Sequence, residues 1–260
     1  MNKIALISVS DKTNIDLLAS KLVKNGYTII STGGTASYLK QKGISIIPIS
    51  EYTKFEEILG GRVKTLHPII HAGILAKSKK DLDRLKSKKY SLIDMVVVNL
   101  YPFEKTIAKN NCSFNLAIEN IDIGGPTLLR ASAKNHQRVT VLTDPSDYGQ
   151  IIDEIESKGT VQPKTRLRLA TKVYSIVSKY DSLIASYLNK FIQSNSSLLD
   201  DNISMDAKEL SKLRYGENPH QEAKLYEVTN PQLTKFEYIQ LSGKALSFNN
   251  LVDTESAFSC

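Results

Sequence analysis

Short apolar runs alternate with amphipathic stretches through the first hundred residues. Lys3 to Ile7 predicts a buried strand, and Asn14 to Lys24 predicts a helix with Ile15, Leu18, Leu22 and Val23 at helical spacing. Gly26 closes that helix, and Tyr27 to Ile30 predicts the next strand. Thr35 to Lys42 repeats the helical pattern and stops at Gly43, and Ile44 to Ile49 predicts a third strand. Met95 to Asn99 is apolar almost throughout, the mark of a strand covered on both faces. Arg138 to Leu142 repeats that mark, and Pro145 to Ser157 supplies a helix with proline at its start. Strand–helix alternation of this kind predicts an α/β domain whose mostly parallel sheet is flanked by helices.

From Pro163 to Phe191 the apolar positions Leu167, Ala170, Val173, Tyr174, Val177, Ile184 and Tyr187 predict one long helix or a helix pair. Gln193 to Asn202 is polar and rich in Ser and Asn, as linkers are. The segment from Asp206 to Cys260 is different in kind. It has Pro, Asn and Gly and at least two short strand-like runs, and its roughly fifty residues are about the lower limit for an independent core. Its apolar residues Leu241, Leu246, Phe248 and Leu251 are candidates for exposed surface.

The 260 residues and net charge of +7 change this picture only slightly. No apolar run reaches the ~18 to 20 residues that span a bilayer, and Ile4 to Val9 is too short for a signal peptide. A cytoplasmic protein is expected. The lysines are dispersed apart from Lys77 to Lys80 and Lys86 to Lys89, which flank a helix-like stretch and suit a solvated face. A nucleic-acid partner is therefore not expected, nor a membrane, whereas a basic surface suits an anionic metabolite. Cys112 and Cys260 lie far apart in no metal-like spacing, so neither a disulfide framework nor a metal site is expected.

Candidate chemistry gathers where strands run into helices, the edge at which open parallel sheets bind ligands. Ser8-Val9-Ser10-Asp11-Lys12 follows the first strand, and Ser31-Thr32-Gly33-Gly34-Thr35 follows the second. Backbone N–H groups at glycines, hydroxyls and a helix N-terminus suit a phosphate; taken alone, the second string is explained better by an ordinary turn with an N-cap. Gly60-Gly61-Arg62-Val63-Lys64-Thr65-Leu66-His67-Pro68 puts two cations in a glycine-led loop, suited to anions or simply exposed. Asn99-Leu100-Tyr101-Pro102-Phe103 leaves an apolar strand on the same edge. Glu119 to Pro126 carries Asp122 into a glycine turn that opens a helix bearing Arg130 and Lys134. Asp122 and Lys134 suit proton transfer in either direction, or a structural ion pair.

Taken together, these strings resemble the bifunctional purine-biosynthesis family that joins IMP cyclohydrolase to a folate-dependent transformylase. The strongest carriers are Gly61 to Pro68, Asn99 to Phe103, Ile121 to Pro126 and Leu129 to Asn135. Leu213 to Gln221 and Gly243 to Asp253 resemble the opening of the transformylase half, with Phe248 where tyrosine is more usual. The resemblance implies a methylglyoxal-synthase-like cyclohydrolase domain over residues 1–195, a linker over 196–212 and the start of the transformylase domain, a short incomplete α+β segment, over 213–260.

By resemblance, Lys64, Tyr101, Asp122 and Lys134 are catalytic. Ser8, Ser10, Lys12, Ser31, Thr32, Gly33, Gly34, Thr35, Arg62, Val63, Thr65, Asn99, Leu100, Ile123, Gly124 and Gly125 bind the nucleotide. Arg214, Tyr215, Asn218 and His220 match part of the transformylase substrate site, whose catalytic Lys-His segment has no counterpart in this chain. The expected activity is therefore ring closure of formamido-imidazole-carboxamide ribonucleotide to inosine monophosphate, without formyl transfer. No metal or cofactor is expected for that step, formyl-tetrahydrofolate serving only the transformylase half. The resemblance implies a homodimer for the full-length family; for this chain homodimer and monomer both stay open. Ile176-Val177 departs from the family's usual His-Thr. A methylglyoxal-synthase-type lyase and a non-catalytic nucleotide-binding module are the competing readings.

Overall fold

In the computed structural model, which describes residues 3–191, 207–228 and 239–260, the chain forms two compact units that divide between Lys190 and Phe191. The first contains β1 (Lys3–Val9), α1 (Ile15–Lys24), β2 (Tyr27–Ser31), α2 (Gly33–Gln41), β3 (Ile47–Pro48), α3 (Ile49–Thr53), α4 (Pro68–Leu75) and α5 (Lys79–Ser87). It continues with β4 (Met95–Asn99), α6 (Phe103–Ile107), α7 (Phe114–Glu119), α8 (Gly124–Lys134), β5 (Thr140–Leu142), α9 (Tyr148–Lys158) and α10 (Pro163–Asn189). The second unit has β6 (Ala207–Lys212), β7 (Lys224–Val228) and α11 (Phe248–Ser259).

The five strands of the first unit are parallel, in the order β3-β2-β1-β4-β5. Crossovers between parallel strands are right-handed, so α1 and α2 cover one face while α4 and α8 cover the other. α9 packs against α1 and α10 against α8, completing both layers. With both faces covered, every residue from Met95 to Val98 is buried, as are Ala5, Leu6, Ile7, Ile29 and Ile30. Each such large side chain stabilises the domain by roughly 1.5–3 kcal/mol relative to exposure. The direction of strand addition reverses between β1 and β4, whose last residues, Val9 and Asn99, pair in register. That reversal opens a crevice at the carboxyl ends of the strands, the usual ligand position in such sheets.

Several local features depart from expectation. The strand expected over Ile44 to Ile49 pairs only at Ile47 and Pro48. Pro48 has no N–H to extend the ladder, and Ile49 already begins α3, while Ile44 and Ile46 pack on the core from outside the sheet. Pro145 starts a 3-10 turn, capped by the Asp144 carboxylate accepting from Ser146 N at 2.8 Å, and the α-helix begins at Tyr148. Pro163 to Asn189 is one continuous helix. Cys112 is half-buried and Cys260 exposed.

Part of the expected linker over 196–212 is a strand: β6 pairs antiparallel with β7. The Gln193 to Asn202 stretch lies outside the described residues. In the second unit the main chain is ordered by local bonds. The Ser247 hydroxyl and Asn250 side chain cap α11 reciprocally, and Arg214 N donates to the Leu246 carbonyl at 2.8 Å. Leu241 is exposed, as is Phe248, while Leu246 and Leu251 are half-buried. Among the described residues no helix is long and apolar enough to cross a membrane.

Candidate active site

The crevice between β1 and β4 is closed at its base by one amide. Asn99 Oδ1 accepts the backbone N–H groups of Ser10 at 2.6 Å and Asp11 at 2.9 Å, and its Nδ2 donates to the Asp11 carbonyl at 2.9 Å. These contacts fix the loop after β1 against the end of β4. They also occupy the Ser10 and Asp11 amides, so those two N–H groups do not face an anion. Lys12 Nζ lies 3.5 Å from the Ser10 carbonyl, folded back over the same loop.

The loop after β2 is pinned from beneath. Thr35 Oγ1 donates to the Val9 carbonyl at 2.9 Å and accepts from Val9 N at 3.1 Å. Ser31 Oγ donates to the Ile7 carbonyl at 2.8 Å, and the Ser8 and Thr32 hydroxyls share a bond of 2.7 Å. Ser31, Thr32 and Thr35 are buried, while Gly33 and Gly34 at the start of α2 are exposed. Three of the five expected phosphate ligands in this string thus support the turn, and the two glycines present its main chain. Gly33 has φ of 40°, a left-handed conformation that costs a side chain strain.

Lys64 reaches toward this cradle. Its ammonium lies 3.8 Å from where a Cβ on Gly33 would sit, and equally far from the corresponding point on Gly61. A cleft of about 460 Å³ beside it is lined by Ser31, Gly33, Ser37, Lys40, Glu57 and Lys64 among others. Arg62 turns outward instead and forms an exposed ion pair with Glu119. Val63 pairs with Ile58 in an isolated bridge that shapes this loop. His67 is structural: Nδ1 accepts from Ile69 N at 3.2 Å and caps α4, with Pro68 in the first turn.

Asp122 forms the opposite wall. Its Oδ1 accepts from Gly125 N at 2.8 Å, capping α8, and the carboxylate also receives the Tyr101 main-chain N–H. Burial pushes its carboxyl above the ordinary range, against the lowering pull of the two N–H donors and the Lys64 charge. The packing here is tight. A Cβ on Gly125 would lie 2.5 Å from Asp122 Oδ2 and 2.9 Å from Leu100 Cδ2, and one on Gly124 would lie 2.6 Å from Thr65 Oγ1. Only glycine admits this approach of Thr65, Leu100 and Asp122 to the N-terminus of α8. Tyr101 and Ile123 stand exposed at the rim, at 55% and 58% of their accessible surface.

The structure therefore brings together Ser8, Ser10, Lys12, the 31–35 loop, Lys64, Thr65, Asn99 to Tyr101 and Asp122 to Gly125 at one sheet edge. It does not bring Lys134 to Asp122. Lys134 ends α8, ten residues beyond Gly124, which is about 15 Å of helix rise, and it is exposed. Arg214, Tyr215, Asn218 and His220 lie in one loop of the second unit. There Arg214 stacks over the Tyr215 ring at 4.9 Å, and Asn218 N donates to the Gln221 side chain at 2.9 Å.

Three further side chains border the site without an expected role: Glu57 beside Lys64, Glu119 holding Arg62, and Tyr180, whose hydroxyl accepts from Asp122 N at 2.8 Å. Tyr180 lies in a long amphipathic helix, where its spacing signals only packing. Of the departing pair, Val177 is core, while Ile176 lines a second cleft with Ser10, Asp11 and Asn99. Among the described residues no cluster of three or more His, Cys, Asp or Glu suited to a metal is found.

Two family models match the chain: an MGS-like domain over residues 14–127 and an AICARFT/IMPCHase bienzyme model over residues 132–260. The bifunctional purine biosynthesis protein PurH of Caldicellulosiruptor saccharolyticus is 50% identical over 262 residues, covering 99% of this chain and 51% of that protein. PurH of Ruminiclostridium cellulolyticum is 48% identical over 260 residues, covering 99% of this chain and 50% of that protein. The crystal structure of ForH superposes with a TM-score of 0.64 at 34% identity, over 71% of this chain and 98% of ForH. The chain spans about half the length of the curated relatives it matches. With its parallel sheet carrying an MGS-like domain and its small antiparallel sheet after it, the chain belongs to the PurH family of bifunctional purine-biosynthesis proteins.

Proposed function

We propose that this chain is an IMP cyclohydrolase, closing formamido-imidazole-carboxamide ribonucleotide to inosine monophosphate. The observation that carries this reading is a desolvated carboxylate, Asp122, across from an ammonium, Lys64, that also faces a phosphate-suited helix start. The carboxamide nitrogen attacks the neighbouring formyl carbon, and the tetrahedral adduct then loses the former formyl oxygen as water. Both groups sit on one imidazole, so holding the reactive rotamer supplies much of the acceleration.

The ribose phosphate lies on the Gly33 and Gly34 main chain, with Ser10 and Lys12 alongside. Asp122, ionised, takes a proton from the carboxamide nitrogen, and its raised pKa makes it a stronger base. The Gly124 and Gly125 turn and the Thr65 hydroxyl face the developing oxyanion. Lys134, at the far end of α8, leaves proton return within one chain to Lys64. The step is a redox-neutral condensation within one substrate, and this reading assigns it to the chain's own side chains and main-chain N–H groups. Formyl transfer is assigned to the part of the relatives that this chain does not span, and the cytoplasm is the compartment proposed.

The test is absorbance-followed turnover of the formamido nucleotide by the purified chain, with Lys64→Ala as the partner measurement. The expected result is a fall in kcat of at least about a hundredfold with a much smaller change in nucleotide affinity. An unchanged kcat removes Lys64 from the chemistry. The MGS-like domain match favours one second reading, a lyase of triose phosphates. Turnover of dihydroxyacetone phosphate in place of the nucleotide would select it.

A further inference from the structure

Tyr180 lies on the buried face of α10, and its hydroxyl oxygen accepts the main-chain N–H of Asp122 at 2.8 Å. Its ring meets Phe103 edge-on, with centroids 6.2 Å apart, and Tyr187 meets the same ring from another side at 5.7 Å. Phe103 N in turn donates to the Tyr101 carbonyl at 2.8 Å. One side chain of α10 thus holds the Asp122 loop directly and the Tyr101 loop through a single ring. The two loops are joined again at the site, where the Asp122 carboxylate receives the Tyr101 N–H. Ring packing alone fixes the distance between α10 and these loops. The hydroxyl adds a directional constraint on the peptide entering Asp122, beside the Gly125 and Tyr101 N–H groups that hold the carboxylate itself.

We propose that Tyr180 is a positioning residue for cyclisation, setting the direction of the Asp122 carboxylate through the Asp122 main-chain N–H. This rests on the catalytic reading of Asp122 given above. A phenol that merely satisfies a half-buried N–H would affect stability without touching the titration of the reaction. A positioning phenol affects both, because the Asp122 carboxyl is held high by burial and a loosened loop admits water.

The experiment compares the whole chain with its Tyr180→Phe form, which keeps the ring and removes the acceptor. The expected result is a kcat lower by about tenfold to a hundredfold, with KM changed by less than about threefold, as for a small misplacement of a reacting group. The acidic limb of the kcat profile moves to lower pH, as the carboxyl relaxes toward its ordinary range. Wild-type kcat with an unmoved limb overturns the proposal. Should Tyr180→Phe fail to fold, 3-fluorotyrosine at position 180 weakens the acceptor with nearly the same shape. A smaller move of the limb in the same direction supports the proposal, and none overturns it. Asp122→Asn, measured alongside, separates the two claims. If it retains turnover, the catalytic reading of Asp122 has failed; if it abolishes turnover while the Tyr180 variants behave as wild type, only the positioning role has.

Discussion

The two units are ordered by different forces. In the first, β1, β2 and β4 are buried almost end to end between two helical layers. In the second, all six residues of β6 are exposed and none of the twelve residues of α11 is buried. What shapes the second unit is a two-stranded ladder, a capping box and short loop bonds such as Gly216 N to the Gln221 carbonyl at 2.9 Å. Hydrogen bonds and caps choose a local conformation but contribute little net stability, whereas apolar burial supplies most of it. A lone two-stranded sheet is marginal in water. Precise chemistry, with tolerances near ~1 Å, needs loops clamped to a packed core, and among the described residues only the first unit provides one.

The largest expected effects lie where the packing is tightest. Gly125→Ala forces a methyl group against Asp122 and Leu100, so cyclohydrolase turnover is expected to fall about a hundredfold or more. Gly216→Ala in the second unit meets Gln221 Cβ at 2.9 Å, and its expected effect on the same assay is negligible. Equal losses would mean that the site is not confined to the first unit. The stability contrast is sharpened by a pair of truncations followed by urea unfolding. Leu6→Ala, at a fully buried position of β1, costs about 2–5 kcal/mol. Leu241→Ala, at 91% exposure, stays within about 0.5 kcal/mol.

The smallest effect concerns charge. Lys172 Nζ donates to Asp144 and Asp147 at 2.7 Å each, tying α10 to the turn before α9. Its hydrogen bond is the chief cause that brings the Asp144 carboxyl down to about 2. Because the folded value lies below the unfolded one, near 3.8, this stabilisation is complete above about pH 4 and is lost as pH falls toward 2. In Lys172→Met the acid branch of the melting curve flattens, by about 1 kcal/mol at most after solvent screening. The exposed Lys224–Glu209 pair of the second unit is the control, and Glu209→Gln should leave melting unchanged at any pH.

How far the sequence carried the structure depends on the range of the interactions involved. Periodicity located β1, β2, β4, α1 and α10 because burial is a repeating, local signal. It overextended β3, since the consequence of Pro48 at a sheet edge depends on which strand lies beside it. The glycine and hydroxyl strings gathered at one edge as expected. Their division of labour was hidden, because the Ser10 and Asp11 amides are engaged by Asn99 from a distant strand. Lys134 matched its family motif, yet its distance from Asp122 is set by the straight course of α8. Tyr180 was illegible for the opposite reason: nothing in an amphipathic helix marks which buried tyrosine meets a loop 58 residues earlier.

The crowding around the N-terminus of α8 also constrains how this site can evolve. Every single-base change that replaces a glycine introduces at least a methyl group. At Gly124 and Gly125 that group meets Thr65, Asp122 or Leu100 closer than 3.0 Å. At Gly149, in the first turn of α9, nothing lies within 4 Å of the same atom. Neighbouring genotypes are thus open at one helix start and closed at the other, so change at this crevice is tolerated at exposed rim positions such as Tyr101 far more readily than in the turn that carries the Asp122 carboxylate.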